Sequence, residues 1–531
     1  MFWGFIVVWI MMTIVSFSMA EICSAYPCAG SVYHWSAQLV PEELSSFWAY
    51  VTGCFNFIGN AAGDSSFAFS FASFMNAAIQ ITSGHSYSTD VEVAISIAMV
   101  FIWSFICFFR IDKLGFFIMM AAAAQFGGIF IIIVAVLTLP SQHSHDADLE
   151  ALDVGFYSYY YGANSTQAME AMESPGRYAT ASYVFTEYYN GTGWSSQSYV
   201  VCLGILTGLF SFAGFEASAH MAEETVGAST SAPKGIIKTV FATGLSGICL
   251  CLAMLFSTPN VGRALYGPTS NAVSNVFIQS CGSTWGQALT WIIVINLWFA
   301  GVSSVAVTGR ITFALFRDRA FPFAEFFTQV DPHFQSPIFA MLFVAFFDAL
   351  IQLLPLNAAG LTAFNAIVGI STIGFQVSYA IPIILKVVYN PSTFPNTSMN
   401  LGYLSRPFGI ISGLWLLGSA CFFFLPTNSP IVWSGSTSNM NWVFAVFGGL
   451  VFIATVNWFA NSRYYFHGPK RIQFAEVVSD DLEGSLRGGT PELPASNPPD
   501  SAALPVVVAP AKAIVDEAEL PLASSVHNYQ D

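Results

Sequence analysis

SFAGFEASAHMAEE, residues Ser211–Glu224, is where the fold is decided. The stretch lies in a long apolar run that begins near Trp194. Its middle nevertheless carries Gly214, the small residues Ala213, Ala217, Ser218 and Ala219, and an acid, Glu216. A carboxylate halfway along a membrane helix costs several kcal/mol unless it faces protein or a water-filled cavity. Glycine and small residues let a helix unwind, and unwound backbone at membrane depth is tolerated only where it lines a cavity. A broken helix with a polar centre is a common way to build a solute site. The competing reading is a small-residue packing face holding one satisfied acid, and the rest of the chain must decide between them.

Only 9% of the 531 residues are charged, whereas 55% are hydrophobic and 16% aromatic; the mean hydropathy is +0.61. Soluble domains carry roughly 25% charged residues, so the composition defines an all-α, multi-pass membrane protein. The net charge of −15 comes largely from the tail and the loop at 146–187, and it describes solvated segments. No basic patch supports nucleic acid as a partner. Most of the nine cysteines, such as Cys54, Cys107 and Cys202, sit in apolar runs, where a thiol packs as a small hydrophobe. Neither a CxxC nor a Cys/His cluster suggests a metal.

Apolar runs of about 20 residues predict eleven spans: 3–24, 47–72, 91–109, 114–139, 196–221, 235–257, 285–308, 337–356, 361–386, 408–426 and 441–460. The first has no charged leader and no small-residue cleavage site, which argues against a signal peptide. Alternate loops hold Arg110 and Lys113; Lys234 and Lys238; Arg310, Arg317 and Arg319; Lys386 and Arg406; and Arg463, Lys470 and Arg471. The opposite loops hold Arg177 and Arg263, twelve cations against two. By the positive-inside rule the C-terminus is cytoplasmic. The sequons at Asn164 and Asn190 fall in loop 140–195 on the other side, where they are candidate glycosylation sites. Eleven spans with a cytoplasmic end place Met1 outside, so one further helix upstream is expected. A transmembrane domain over 1–465 is followed by a Pro-, Ala- and acid-rich segment, 466–531, read as a disordered cytoplasmic tail.

Polar residues inside the spans are few. Asn56, Asn60 and Asp64 recur every four residues and so stack on one helix face. Asn296, Ala300, Ser303 and Ser304 share another, as do Asn365, Gly369, Thr372 and Gln376. Each stripe alone is compatible with interhelical hydrogen bonding; with the helix that carries Glu216, four polar faces at comparable depth point to a shared pocket. Phe212 and Phe215 flank Gly214 as a lid or as core, and His220 reads as hydrogen-bonded structure. His85 and Asp90 fit an HxxxxD acyltransferase spacing in a short outer loop, a match expected by chance. Gly63-Asp64 is half of an intramembrane aspartyl protease motif, without its Tyr-Asp partner. There is no GxSxG, Walker loop or HExxH. An enzyme is not expected.

Three stretches resemble the amino acid–polyamine–organocation (APC) transporter superfamily, and most of all its eukaryotic amino acid, choline and GABA permease branch. They are SMAEICSAYPCAGSVYHWSAQL (18–39), GFEASAHMAEETVGASTSAPKGI (214–236) and SSVAVTGRITFALFRDRAFPF (303–323). The resemblance implies a LeuT-like fold of inverted repeats, with these eleven spans standing for family helices two to twelve and the first helix lacking. It implies a helix break at 211–218, and substrate binding by Ser211, Phe212, Ala213, Gly214, Phe215 and Glu216, with Asn60, Asp64 and Asn365 lining the same cavity. Backbone carbonyls there would accept from a substrate ammonium. Ala300, Ser303 and Ser304 resemble half of a sodium site, although protons are the favoured coupling ion; no cofactor is implied.

The expected function is a secondary active permease for amino acids or small amines such as GABA or choline, in the plasma membrane or an endomembrane. The alternative is a non-transporting nutrient sensor or inactive truncated relative.

Overall fold

Ten of the eleven apolar runs each lie mainly on one helix, and the run 196–221 is divided between two. The computed structural model describes residues 1–109, 111–139, 178–186, 190–222, 225, 227–258, 261–332, 334, 336–356, 360–389, 394–395, 397–431 and 441–469. These belong to one unit, Met1–Arg471, and no strand occurs among them. The calls on loop 140–177, including Asn164, and on the tail beyond 469 lie outside the described residues.

The principal helices are α1 (Phe2–Ala25), α2 (Ser31–Gln38), α3 (Glu42–Ser83), α4 (Thr89–Ile106), α5 (Ile111–Thr138), α6 (Gln197–Phe210), α7 (Ala217–His220), α8 (Ala228–Phe256), α9 (Ala272–Arg317), α10 (Ile338–Ile351), α11 (Gly360–Tyr389), α12 (Ser405–Phe422) and α13 (Val443–Asn457). Eight of the described helices are long and apolar enough to cross a membrane, and α6 is a shorter apolar one. Helix α3 falls short because Asn56, Asn60, Asp64, Ser65 and Ser66 dilute its hydropathy. At 42 residues it is nonetheless about 63 Å long, twice a hydrocarbon core of about 30 Å.

Helix α3 packs most extensively on α9 and α11. The apolar span of α11 is 78% buried, against 11% for 443–465, which puts α11 in the centre and α13 at the periphery. Close approach of α3 and α11 rests on Gly59 and Gly374. A methyl on Gly374 would lie 2.6 Å from the Gly59 Cα, and one on Gly59 would lie 2.8 Å from the Phe375 nitrogen. Because those are backbone atoms, no rotamer relieves the clash. Small residues at such a crossing allow the backbones into van der Waals and hydrogen-bond contact; here the Ser371 hydroxyl donates to the Gly59 carbonyl at 2.8 Å.

At one end of the bundle, Glu21 of α1 and Lys386 of α11 form a buried ion pair. Ser405 donates to Glu21 at 2.8 Å, the Leu401 N–H donates to its other oxygen at 3.2 Å, and the Lys386 ammonium lies 4.2 Å from the Phe394 ring centre. Glu21, Lys386, Phe394 and Ser405 line a cavity of about 360 Å³. Both charges thus find partners, as buried ions must. Phe466, at the start of the segment read as tail, is buried with its ring 6.0 Å from that of Tyr50.

Candidate functional site

Helix α6 stops at Phe210 and α7 resumes at Ala217. In between, the turns close over three residues: Phe212 N–H to Leu209 O at 3.2 Å, Ala213 N–H to Phe210 O at 3.1 Å, and Ala217 N–H to Gly214 O at 3.2 Å. Gly214 takes φ +78°, a region costing an L-residue roughly 1–2 kcal/mol. An added methyl there would meet only Phe375 Cζ, at 3.8 Å. Backbone conformation, not crowding, requires glycine.

The break and the acid are joined. The Gly214 N–H donates to the Tyr379 hydroxyl at 3.0 Å, and that hydroxyl donates to Glu216 Oε2. Asn56 of α3 donates to Glu216 Oε1 at 3.2 Å and lies 3.4 Å from Ser378 Oγ. His220 Nδ1–H donates to the Ala29 carbonyl at 2.8 Å, which leaves Nε2 facing Glu216 Oε1 at 3.9 Å. Glu216 and His220 are each 1% exposed. Phe215 packs beside Tyr379 with ring centres 5.0 Å apart, and Phe212 packs on Phe5 at 5.5 Å. Four elements, α3, α7, α11 and the 211–216 turn, therefore meet at one carboxylate.

Two buried polar atoms beside the carboxylate, Asn56 Oδ1 and His220 Nε2, have no hydrogen-bond partner among the described residues, and the same holds for both amide atoms of Gln376. Gln376 lies on α11, three residues before Tyr379. Leaving a buried polar group unpaired costs about 1–3 kcal/mol, so such atoms mark a place where a polar solute gains by binding.

Of the residues read from the sequence, Phe212, Gly214, Phe215 and Glu216 come together. Ala213 is half-buried beside them and Ser211 is exposed. Asn60 is buried but donates to its own helix, at the Asn56 carbonyl (2.9 Å). Asp64 bonds to Ser304 of α9 instead; eight residues from Asn56, it sits about 12 Å further along α3, so it does not share the Glu216 cluster. Asn365 is exposed and lies fourteen residues from Tyr379, about 21 Å along α11. Ala300, Ser303 and Ser304 do not converge: the exposed Ser303 donates to the Phe299 carbonyl at 3.0 Å, while Ser304 serves Asp64. At the other sequon, Asn190 accepts from Thr192 Oγ1 at 2.7 Å, and its amide donates to the Trp194 carbonyl at 2.7 Å. His85 is exposed, with Nδ1 bonded to the Ser83 carbonyl at 2.8 Å.

Tyr379 was not singled out in the sequence, although it continues the 369/372/376 stripe by one turn. Asp348 was passed over too: it is an acid inside the apolar run 338–351 and falls under the rule that marked Glu216.

A bundle of apolar helices with one broken at a glycine, around a buried and multiply bonded acid, defines an integral membrane protein of the transporter class. The chain belongs to the amino acid permease family, whose model matches residues 1–454. It is 28% identical over 472 residues to the amino-acid permease BAT1 of Arabidopsis thaliana, covering 86% of this chain and 83% of that one. The rice (Oryza sativa) homologue is 29% identical over 472 residues, with coverage of 86% and 82%. A crystal structure of an Eremococcus coleocola manganese transporter mutant aligns with a TM-score of 0.47 at 10% identity, covering 85% of each chain. The protein is a membrane-embedded transporter and not an enzyme.

Proposed function

We propose that the chain is a secondary active permease that carries amino acids, or small amines such as GABA or choline, by alternating access around the 211–216 break. The observation that carries this reading is the Glu216 carboxylate, buried beside freed backbone and flanked by the unpaired Asn56 Oδ1 and His220 Nε2. The substrate ammonium sits against Glu216 and the turn carbonyls, while Gln376 and the open sides of Asn56 and His220 hold its remaining polar groups. The amino-acid permeases of Arabidopsis and rice support the substrate class. The excess of Lys and Arg on alternate loops supports a cytoplasmic C-terminus in whichever membrane the protein resides, and Asn164 and Asn190 on the outer side are its candidate glycosylation sites.

Uptake of a labelled amino acid and amine panel into proteoliposomes tests the proposal. Glu216→Gln is expected to lower uptake at least about tenfold, a loss of roughly 1.4 kcal/mol of transition-state stabilisation, with unchanged protein incorporation. Uptake at the wild-type rate by this variant would remove Glu216 from the mechanism.

A further inference from the structure

A second polar cluster lies beyond the solute site, between α3, α9 and α10. Asp64 and Asp348 are both 0% exposed. Asp64 Oδ1 accepts from the Ser304 hydroxyl, and Thr308 also reaches this carboxylate. Its Oδ2, and both carboxylate oxygens of Asp348, have no hydrogen-bond partner among the described residues. Asp348 lies within reach of the Asp64 charge. The backbones are tied together here: Ser65 Oγ donates to the Asp348 carbonyl at 3.3 Å, Gln352 Nε2 donates to the Ser65 carbonyl at 2.6 Å, and Ser96 of α4 donates to Gln352 Oε1 at 3.0 Å.

Two ionised carboxylates at this depth would repel one another with nothing between them. Like charges in a shared buried site cannot both ionise readily, and a buried ion survives only if paired. Something positive must be held there. No group of three or more acidic, His or Cys residues able to hold a metal occurs among the described residues, and a calcium ion takes about six to eight oxygen ligands. A single proton meets the need with the oxygens present.

We propose that Asp64 and Asp348 form a proton-binding pair, distinct from the Glu216 solute site, which loads one proton from one side of the membrane and releases it to the other. In the loaded state one carboxyl carries the proton and is neutral while the other stays ionised, so the pair carries −1. The Ser304 hydroxyl steadies the Asp64 side. On release the pair carries −2, and repulsion drives α10 away from α3. That both helices pack on α9, and that Asn56 of α3 holds Glu216, connects this movement to the solute site. Its service to transport rests on the permease reading; the existence of the pair does not.

The titratable surroundings are few. Just after α4, Cys107 feels Asp64 and also Arg310 of α9, whose guanidinium contacts the Met221 sulfur. Glu92 of α4 is bonded to Asn76, 2.6 Å away. On α11, Tyr379 and Lys386 are engaged by Glu216 and Glu21. Tyr33 of α2 bonds to Asp318 at 2.9 Å, and His34 is held by Gln38 at 3.1 Å. Glu325, on the short helix beside α10, is exposed near Arg319 at 3.7 Å.

Infrared difference spectroscopy of the purified chain in proteoliposomes, titrated across pH, reads the pair directly. The wild type should show the carbonyl stretch of a protonated carboxyl that vanishes on alkaline titration and persists in E216Q. D348N should lose it, because the remaining Asp64, with Ser304 as donor, ionises. D64N should retain a band shifted in frequency and titrating at lower pH than in the wild type, because Asp348 no longer ionises against the Asp64 charge. Superimposable wild-type and D348N titrations would overturn the proposal, as would loss of the wild-type band on adding sodium at fixed pH. In transport assays D348N should lose uptake driven by a pH gradient; gradient-driven uptake equal to wild type would also overturn it. Were the wild type to move no solute at all, the permease reading would fail while the infrared titration still decided the pair.

Discussion

At the residue scale the protein turns on how one carboxylate is tolerated among apolar helices. Glu216 is accepted because Tyr379 and Asn56 both donate to it, and hydrogen bonds to a charged group are each worth about 1.5–3 kcal/mol. Tyr379 does double service, since the same hydroxyl receives the Gly214 N–H freed by the break. Gly214→Ala separates backbone from packing. The methyl has room, so the variant should be less stable by about 1–2 kcal/mol, through left-handed strain alone. Thermal unfolding in detergent checks this; a variant as stable as wild type would mean that the turn relaxes to another conformation without penalty. The break itself was legible in Ser211–Glu224, because glycine, small residues and an acid in one apolar run have few other uses. The partner on α11 was not. A tyrosine in a chain with 20 of them carries no mark of the long-range contact that gives it a role.

At the scale of elements, the crossing of α3 and α11 sets the site. Asn56 and Tyr379 reach Glu216 from different helices only because Gly59 and Gly374 let those helices touch. Gly374→Val pushes branched carbon into the Gly59 backbone, and overpacking of this kind costs about 1–3 kcal/mol. The larger effect is geometric. Shifting α11 by even about 1 Å misplaces Tyr379, and a misplacement of that size costs on the order of 100-fold in rate. Solute uptake should therefore fall far more than stability does; equal losses in both would reduce the crossing to a matter of packing. The stripe 365/369/372/376 announced a polar face on α11, yet its first member, Asn365, lies exposed near the far end of the helix. Periodicity gives the face of a helix but not the depth along it at which neighbours converge. The same limit applies to Asp64, which shares a sequence stripe with Asn56 but bonds to Ser304 of α9. Spacing of four residues cannot show that α9 reaches Asp64 while the 211–216 turn reaches Asn56.

Across the whole molecule, the eleven apolar runs were plain in the sequence because lipid imposes length and composition on every span. What joins the helix ends was not, since those contacts pair residues hundreds of positions apart, such as Glu21 with Lys386. Another such junction brings α2 against the end of α9, where Tyr33 donates to Asp318 and His34 lies in the field of Arg317. The Gln38 amide can only donate, so His34 Nε2 must accept at 3.1 Å, and the ring is neutral. Burial pushes the His34 pKa down from its ordinary 6.5 to about 4, and the Arg317 charge acts in the same direction. The unfolded chain thus takes up this proton first as pH falls. The contribution of His34 to stability is complete above about pH 6.5 and is lost progressively toward pH 4, amounting to roughly 3 kcal/mol across the window. Wild-type melting temperature in detergent should fall steeply between those limits. His34→Phe keeps an aromatic ring in the site without a titrating nitrogen, so its profile should be flatter there. Parallel slopes for the two proteins would show that the acid sensitivity of the fold arises elsewhere, and that the α2–α9 junction holds with a charged imidazole inside it.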